Sequence, residues 1–288
     1  MITRDVEPGA VADLALAPPR AALACLVDDE IRLFPVEVTL DEPAEPAEST
    51  RVVTVPDGIP DLAGRNVVVI ADDGPQWFRL RSLTVRGTAR PVDDRTYRVA
   101  PRRVVAWDYG SLRDVPAEPS EQPAPSLPGN TALNVEPLHL AELDAVLRSS
   151  HVMILASHSR KGTPFAVPLW FVVHRGRLYT GTSISSWTVR NVTSCPDVCL
   201  LLGGERGGDD ERLVVRGRAT SVAGPPPAAM LARIAWRYYL QPRFAADELR
   251  HIGLWGRRLR YYSQAQAAHL VITPQSIDAP EAPRRRPR

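Results

Sequence analysis

Hydroxyl side chains cluster in one short stretch of the chain, and a single arginine follows them. The residues concerned are Thr182, Ser183, Ser185, Ser186, Thr188 and Arg190. Hydroxyls at the start of a short helix, together with a guanidinium group, are suited to bind a phosphate dianion. Serine and threonine also cap helices without binding any ligand, so the stretch by itself leaves both interpretations open.

The other chemistry-bearing residues show no catalytic or metal-binding spacing. His151, His158, His251 and His269 form no HxH or HxxxH pattern, and the three cysteines form no CxxC pattern. We therefore expect neither a metal site nor a disulfide framework. No side chain stands out as an acid or a base, and the catalytic residues are unknown at this stage. This composition fits a protein in which a bound cofactor carries out the reaction.

Short strands surround the hydroxyl stretch. The apolar run 165–173 predicts a buried strand, the turn 174–177 a hairpin, and 178–182 the returning strand. Further strands are predicted at 152–157, 198–202, 211–222 and 270–274, and helices at 140–147, 186–194, 230–238 and 245–254. Short strands at close spacing, with turns between them, indicate a β-barrel.

The two halves of the chain contain three pairs of similar segments in the same order. The pairs are Leu83–Val92 with Leu213–Val222, Gly64–Ile70 with Val189–Val192 and the apolar run after it, and Tyr97–Val104 with Leu270–Ile277. The first pair shares the pattern Val-Arg-Gly-x-Ala. Because the order is preserved, the pairs indicate a duplicated fold.

A proline-rich, acidic stretch separates the halves. Residues 115–131 lack any hydrophobic period and have the composition of an extended linker. We therefore predict an N-terminal domain over 1–114, a C-terminal domain over 132–278 and a disordered basic tail over 279–288.

Charge and hydropathy exclude some classes of partner. The formal net charge of the 288 residues is +2, which does not favour binding to nucleic acid or to a membrane surface. No apolar run approaches the ~20 residues of a membrane span, and the first residues lack the apolar core of a signal peptide. We expect a cytoplasmic protein whose partner is a small-molecule substrate.

The order of these motifs resembles the pyridoxamine 5′-phosphate oxidase-like superfamily of FMN-binding split barrels. The motifs are the strand–turn–strand 154–173, the hairpin 174–182, the segment Ser186–Asn191 and the strand Val215–Ala219. The resemblance extends over residues 141–222 and 270–277. It implies a mainly β fold with peripheral helices, arranged as two tandem six-stranded split β-barrels.

The resemblance also implies a cofactor and the residues that bind it. The cofactor is FMN in most of the family, the deazaflavin coenzyme F-420 in one branch and haem in some split barrels. The strand at 166–170 is expected to pass under the isoalloxazine ring, and the hydroxyl stretch to bind the phosphate. The implied ligands are Val167, Pro168, Leu169, Trp170, Thr180, Gly181, Thr182, Ser185, Ser186, Trp187, Thr188, Arg190 and Asn191.

The sequence departs from the family pattern at one place. The usual Ser-Arg-Lys triplet reads Ser186-Trp187-Thr188, so two cations are missing. Each charge-assisted contact to a phosphate contributes roughly 1.5–3 kcal/mol. Trp187 could instead stack on an aromatic ring.

The first half lacks the hydroxyl stretch, and Asp57 and Asp61 stand in its place. We interpret the first half as a degenerate copy that replaces the second subunit of a split-barrel dimer.

Two functions follow as hypotheses. The first is a flavin-dependent oxidoreductase that transfers a hydride between FMN, or a deazaflavin, and a small organic substrate. The alternative is a non-catalytic split-barrel protein that binds or senses a cofactor or haem. Either protein would be a monomer with an internal pseudo-dimer or a homodimer.

Overall fold

The computed structural model describes residues 3–41, 49–73, 77–112, 136–204, 212–256 and 267–278. These residues form two antiparallel sheets, one in each half of the chain. The predicted linker 115–131 and the predicted tail 279–288 lie outside the described residues. The domain boundaries therefore stay a prediction.

The first sheet has the strand order β3-β2-β6-β7-β8-β5-β4, and β1 pairs with β8. Its strands are β1 (Thr3–Val6), β2 (Arg20–Val27), β3 (Glu30–Pro35), β4 (Glu37–Leu40), β5 (Arg51–Thr54), β6 (Asn66–Asp73), β7 (Arg81–Pro91) and β8 (Thr96–Leu112). The helix α1 (Ala12–Leu16) and two short 3-10 turns, Pro8–Val11 and Trp77–Arg79, accompany it.

The second sheet has the strand order β10-β9-β13-β14-β15-β12-β11. Its strands are β9 (Val152–His158), β10 (Pro164–Trp170), β11 (Val172–His174), β12 (Arg177–Ser183), β13 (Asp197–Leu202), β14 (Leu213–Ala223) and β15 (Ala267–Asp278). The helices are α2 (Ala141–Ser149), α3 (Trp187–Ser194), α4 (Ala228–Ile234) and α5 (Pro242–Arg250), with a π-helical turn at Ala235–Tyr239 and a short helix at 252–256. Among the described residues, no helix has both the length and the apolar composition to cross a membrane.

The identical strand order confirms the predicted duplication, since β2 to β8 correspond one by one to β9 to β15. The mainly β fold with few helices is also confirmed. The strand count is one higher than predicted, because each shared path has seven strands instead of six. In the second half the run 165–173 is divided at Phe171, whose N–H donates to the Tyr238 hydroxyl (3.1 Å) and not to a neighbouring strand.

The pattern Val-Arg-Gly-x-Ala forms the same β-bulge in both sheets. The pairing of β7 with β8 shifts between Arg86 and Gly87, and the pairing of β14 with β15 shifts between Arg216 and Gly217. A Cβ atom on Gly217 would lie 2.6 Å from the Thr273 carbonyl oxygen, and one on Gly87 would lie even closer to the backbone. Glycine is required there because a second backbone approaches so closely.

The strand registers confirm two of the three repeat pairs and correct the other. Pro101 and Pro274 each pair with the bulge glycine of their sheet, as the third pair predicts. Val67 and Val198 also pair with those glycines, so Arg65 corresponds to Pro196. The predicted match between Arg65 and Arg190 is therefore wrong, because Arg190 lies in α3, whereas the described residues between β5 and β6 form no helix.

The two sheets pack against each other within the chain. Each half has an apolar core of its own, and a third cluster joins them. Residues of β2, β3 and β6 meet residues of β9, β10, β13 and β14 there; the members include Ala22, Ala24, Ile70, Ile154, Ala156 and Leu201, all of them buried. Because β2 is buried on both faces, it reads as a continuous apolar run and not as an alternating one.

A buried ion pair connects the sheets at the same interface. Arg20 in β2 pairs with Asp72 in β6 at 2.5 Å, and both side chains are 1% exposed. The Nη1 atom of Arg20 also donates to the carbonyl oxygens of Val152 (3.1 Å) and Gly203 (2.9 Å) in the second half. The two halves therefore share a charged hydrogen-bond network that excludes water. The number of chains in the assembly stays a prediction.

Candidate functional site

A cavity of about 1530 Å³ lies between the two sheets. Its first wall consists of alternate residues of β7 and β8, and its second wall consists of β10, the end of β12 and the start of α3. The π-helical turn and α4 contribute to a third side. Residues from both halves of the chain are therefore needed to form the cavity.

Twelve of the thirteen residues that the family resemblance implied line this cavity. They are Val167, Pro168, Leu169, Trp170, Thr180, Gly181, Thr182, Ser185, Ser186, Trp187, Thr188 and Asn191. Arg190, the thirteenth, is not among the lining residues. Its guanidinium lies 5.2 Å from the centre of the Trp187 ring. The helical rotation of about 100° per residue turns Arg190 away from the side that Trp187, Thr188 and Asn191 present to the cavity.

Among the described strands, β10 forms the edge of its sheet and pairs with β9 alone. The main-chain N–H and C=O groups of β10 that point away from β9 therefore form no hydrogen bonds to another described strand, and they face the cavity. Pro168 is compatible with this position because an edge strand tolerates a missing N–H group. The Tyr109 hydroxyl of the opposite wall lies 3.5 Å from the Pro168 carbonyl oxygen.

One end of the cavity is basic. The guanidinium of Arg86 lies 5.3 Å from the centre of the Phe165 ring at the start of β10, and Arg103 pairs with Arg86 across the strands β7 and β8. Burial, and then the charge of Arg103, lowers the pKa of Arg86. Among the described residues, no carboxylate forms an ion pair with either arginine. The turn after β9 adds Arg160 and Lys161 to the same cavity wall.

The hydroxyl stretch lies at this basic end. The Asn191 Nδ2 atom donates to the Ser157 hydroxyl (3.2 Å), and Ser157 pairs with Phe165 in the register of β9 and β10. Ser186 caps α3 by accepting a hydrogen bond from the Val189 N–H group (3.2 Å), and it also accepts one from the Thr182 hydroxyl (3.1 Å). Ser186 therefore caps α3, as one interpretation of the hydroxyl stretch predicts, and the stretch also lies beside the cations of the basic end.

The opposite end of the cavity is aromatic. Trp170, at the end of β10, stacks on Tyr238 with 4.4 Å between ring centres. Tyr239 contacts Trp170 edge-on at 6.1 Å, and Trp255 contacts Tyr239 edge-on at 5.9 Å. Trp107 of β8 packs into the same region together with Leu80 and Tyr109. The five residue steps from Phe165 to Trp170 separate the two ends by roughly 17 Å.

Sequence reasoning missed the contribution of the first half to this site. Ser82, Thr84 and Arg86 occupy alternate positions of β7, so all three face the cavity. Ser82 is fully buried, and its hydroxyl has no hydrogen-bond partner among the described residues; the same holds for the Arg86 Nε atom. Polar residues at every second position of an otherwise apolar strand were the signal that could have identified this wall.

Comparison with protein families identifies the class of fold. Residues 140–252 match the family model described as Pyridoxamine 5'-phosphate oxidase. Over these residues the chain is similar to that family, and the resemblance proposed from the sequence motifs is confirmed there. No curated protein matches the chain.

Three solved structures are similar to part of the chain. The FAD binding protein from Mycobacterium smegmatis is 21% identical over 36% of this chain and 96% of its own, with a TM-score of 0.30. HutZ, the heme storage protein from Vibrio cholerae, is 15% identical over 48% and 92%, with a TM-score of 0.35. An F420 reductase is 20% identical over 47% and 94%, with a TM-score of 0.33.

Proposed function

We propose that the cavity binds a flavin-type cofactor and that the protein is an oxidoreductase. One observation carries this proposal: a single cavity has cations and hydroxyls at one end and aromatic side chains at the other. A flavin has the same division, since an anionic phosphate is joined to a planar ring system. The family match over residues 140–252 supports the same class of ligand.

The residues present fit such a cofactor. Arg86, Arg103, Arg160 and Lys161 line the cavity, and no Asp or Glu does so among the described residues. The unpartnered Ser82 hydroxyl and Arg86 Nε atom supply donors that a ligand can satisfy. A buried donor without a partner costs roughly 1–3 kcal/mol, so a ligand that accepts its hydrogen bond recovers this energy. Cations from the first half thus replace the two that the triplet Ser186-Trp187-Thr188 lacks.

Each wall has a separate task in this arrangement. Arg86 and the hydroxyls around Ser186 bind the phosphate, while the outward main-chain groups of β10 orient the ring. A Cβ atom added to Gly181 would meet no atom within 4 Å, so this position leaves open space beside the ring. The bound flavin, or deazaflavin, would supply the hydride chemistry. The protein binds, orients and shields the ring from water.

The lining residues favour a flavin or deazaflavin over haem. Haem iron takes His, Cys, Met or Tyr as an axial ligand. Among the described residues, no histidine, cysteine or methionine lines the cavity, and its two tyrosines are Tyr109 and Tyr239. The Tyr109 hydroxyl already contacts the Pro168 carbonyl oxygen.

An absorbance spectrum tests the proposal directly. Purified protein is mixed with FMN or F-420, separated from free cofactor, and measured. We expect a retained band near ~450 nm for a flavin or ~420 nm for a deazaflavin. Retention of neither cofactor would overturn the proposal.

Reoxidation kinetics separate the enzyme from a binding protein. The bound cofactor is reduced chemically without oxygen, a quinone is added, and the rate is compared with that of the free cofactor. We expect the protein to accelerate this reaction. Equal rates would leave the non-catalytic alternative.

A further inference from the structure

The cavity is larger than one ligand requires. Sites for single drug-sized ligands enclose about 300–1,000 Å³. The volume here is about 1530 Å³. The excess volume leaves room for a second molecule beside the cofactor. We call the part of the cavity formed by Trp107, Trp170, Leu231, Tyr239, Leu240 and Trp255 the aromatic compartment.

The aromatic compartment is separated from the charges of the cavity. Arg86 and Arg103 lie beside Phe165, and Arg160 and Lys161 belong to the turn before β10, whereas the compartment surrounds the other end of the strand. No charged side chain among the described residues lines the compartment. A charged ligand would lose part of its hydration there without gaining a charged partner among the described residues.

The compartment also presents apolar surface to solvent. Leu240 is 64% exposed and Trp255 is 46% exposed, although both line the cavity. The Trp255 Nε1 atom donates to the Glu248 carboxylate (3.1 Å), which holds the indole ring in place. An oriented, partly exposed indole beside Tyr239 offers a face on which a planar molecule can stack.

We propose that the aromatic compartment binds the substrate, and that the substrate is planar, aromatic and uncharged. The inference rests on the proposed function, because the cofactor ring would form the remaining side of the compartment. Stacking on Trp255 and contact with Leu240 select for an apolar face, and no charged side chain among the described lining residues would bind an ion. The phosphate end of the cavity takes no part in recognising the substrate.

Calorimetric titration with 2-naphthol, an uncharged planar probe, tests this inference. The full-length protein is titrated with and without saturating FMN, and the variant Trp255→Ala is compared with Trp236→Ala. Trp236 is 68% exposed, belongs to the same helical region and does not line the cavity. We expect Trp255→Ala to weaken naphthol binding about tenfold, because one stacking partner and its buried area are lost. Trp236→Ala should leave it unchanged, and Trp255→Phe should restore most of the affinity.

The outcomes of this titration separate the two proposals. Naphthol binding that depends on Trp255 without any binding of FMN would support the compartment and overturn the proposed cofactor. FMN binding without naphthol binding, or with equal losses in both tryptophan variants, would overturn the compartment alone. Tighter binding of 2-naphthoate than of 2-naphthol to the FMN-saturated protein would overturn the preference for an uncharged molecule.

Discussion

Arg86 and Arg216 occupy the same position in the two sheets and have opposite surroundings. Both precede the glycine of the β-bulge. Arg86 faces the cavity with Arg103 opposite it in the register, whereas Arg216 has Ser276 opposite it. Arg216 also pairs with Asp278 at 3.0 Å and with Glu30 of the first half at 3.5 Å.

Acidic residues neutralise the positive charge at Arg216, one of the two equivalent positions. Arg32 pairs with Glu30 (3.0 Å) and with Asp278 (3.3 Å), so two arginines and two carboxylates neutralise each other there. At the cavity, Arg86 and Arg103 remain without a described carboxylate partner. A phosphate gains the strongest charge-assisted hydrogen bonds where the cations are not already compensated.

The two halves therefore contribute different parts to the proposed site. The second half keeps the hydroxyl stretch and α3, while its arginine is neutralised. The first half lacks that stretch and keeps its arginines. In the proposed site, the hydroxyls of the second half lie in one cavity with Arg86 and Arg103 of the first half, and Arg160 and Lys161 of the second half line the same cavity. At the equivalent position Arg216 is already paired with Asp278 and Glu30, and the first half has no hydroxyl stretch, so we expect one cofactor per chain.

The strongest expected effect is on the contact between the halves. Replacing Arg20 by Met should lower the free energy of unfolding by about 3–5 kcal/mol, because Asp72 would remain buried without its partner. Urea unfolding followed by circular dichroism measures this change. The exposed pair Arg218–Asp197 provides the control, since Arg218→Met should cost at most about 1 kcal/mol. Similar small losses in both variants would show that the buried pair does not stabilise the interface.

The next effect distinguishes the two equivalent arginines. Arg86→Ala should weaken FMN binding by about 10- to 100-fold, from the loss of one charge-assisted contact. Arg216→Ala should leave the affinity unchanged, because its charge is already compensated by Asp278 and Glu30. Fluorescence titration of FMN measures both. Equal losses of FMN affinity in the two variants would contradict the view that Arg86 is available to the ligand and Arg216 is neutralised.

Arg190 provides a further comparison within the same titration. Sequence motifs made it the main phosphate ligand, and that role stays a prediction. Because Arg190 lies beside Trp187 and outside the cavity wall, we expect Arg190→Ala to weaken FMN binding less than Arg86→Ala. A larger loss for Arg190→Ala would restore the original assignment and require α3 to turn when the ligand binds.

The smallest expected effect concerns the buried cysteine thiols. Cys25 lies in the first half and Cys199 in the second. Burial raises the pKa of Cys25 and of Cys199 to about 12. In the unfolded chain these thiols ionise near 8.5. The unfolded state therefore binds fewer protons above that pH, and the stability that the two buried thiols contribute falls as the pH rises towards 12.

At pH 8, iodoacetamide should modify Cys195, which is half-buried, and should not modify Cys25 or Cys199. Mass spectrometry of the labelled peptides checks this, and labelling of Cys25 under native conditions would contradict it.

Local sequence determined much of the fold. The hydrophobic runs and turns located the strands of the second half and the helix α3, because their apolar periods and capping residues act over a few neighbouring positions. The repeat Val-Arg-Gly-x-Ala identified the duplication, because the bulge needs a glycine in each copy. Twelve of the residues implied by the motifs also came together at one cavity.

Only the tertiary structure decided which charges belong to the site. Arg86 and Arg216 have the same local pattern, and nothing within a few residues of either distinguishes them. The two arginines differ in the residues that surround them in space. Arg86 lies opposite Arg103 in the neighbouring strand, whereas Arg216 forms ion pairs with Asp278 and with Glu30 of the other sheet. Electrostatic compensation depends on distance in space and not on separation along the chain. The sequence therefore determined the strands and the repeat, and the packing of the two sheets selected the arginine that faces the cavity.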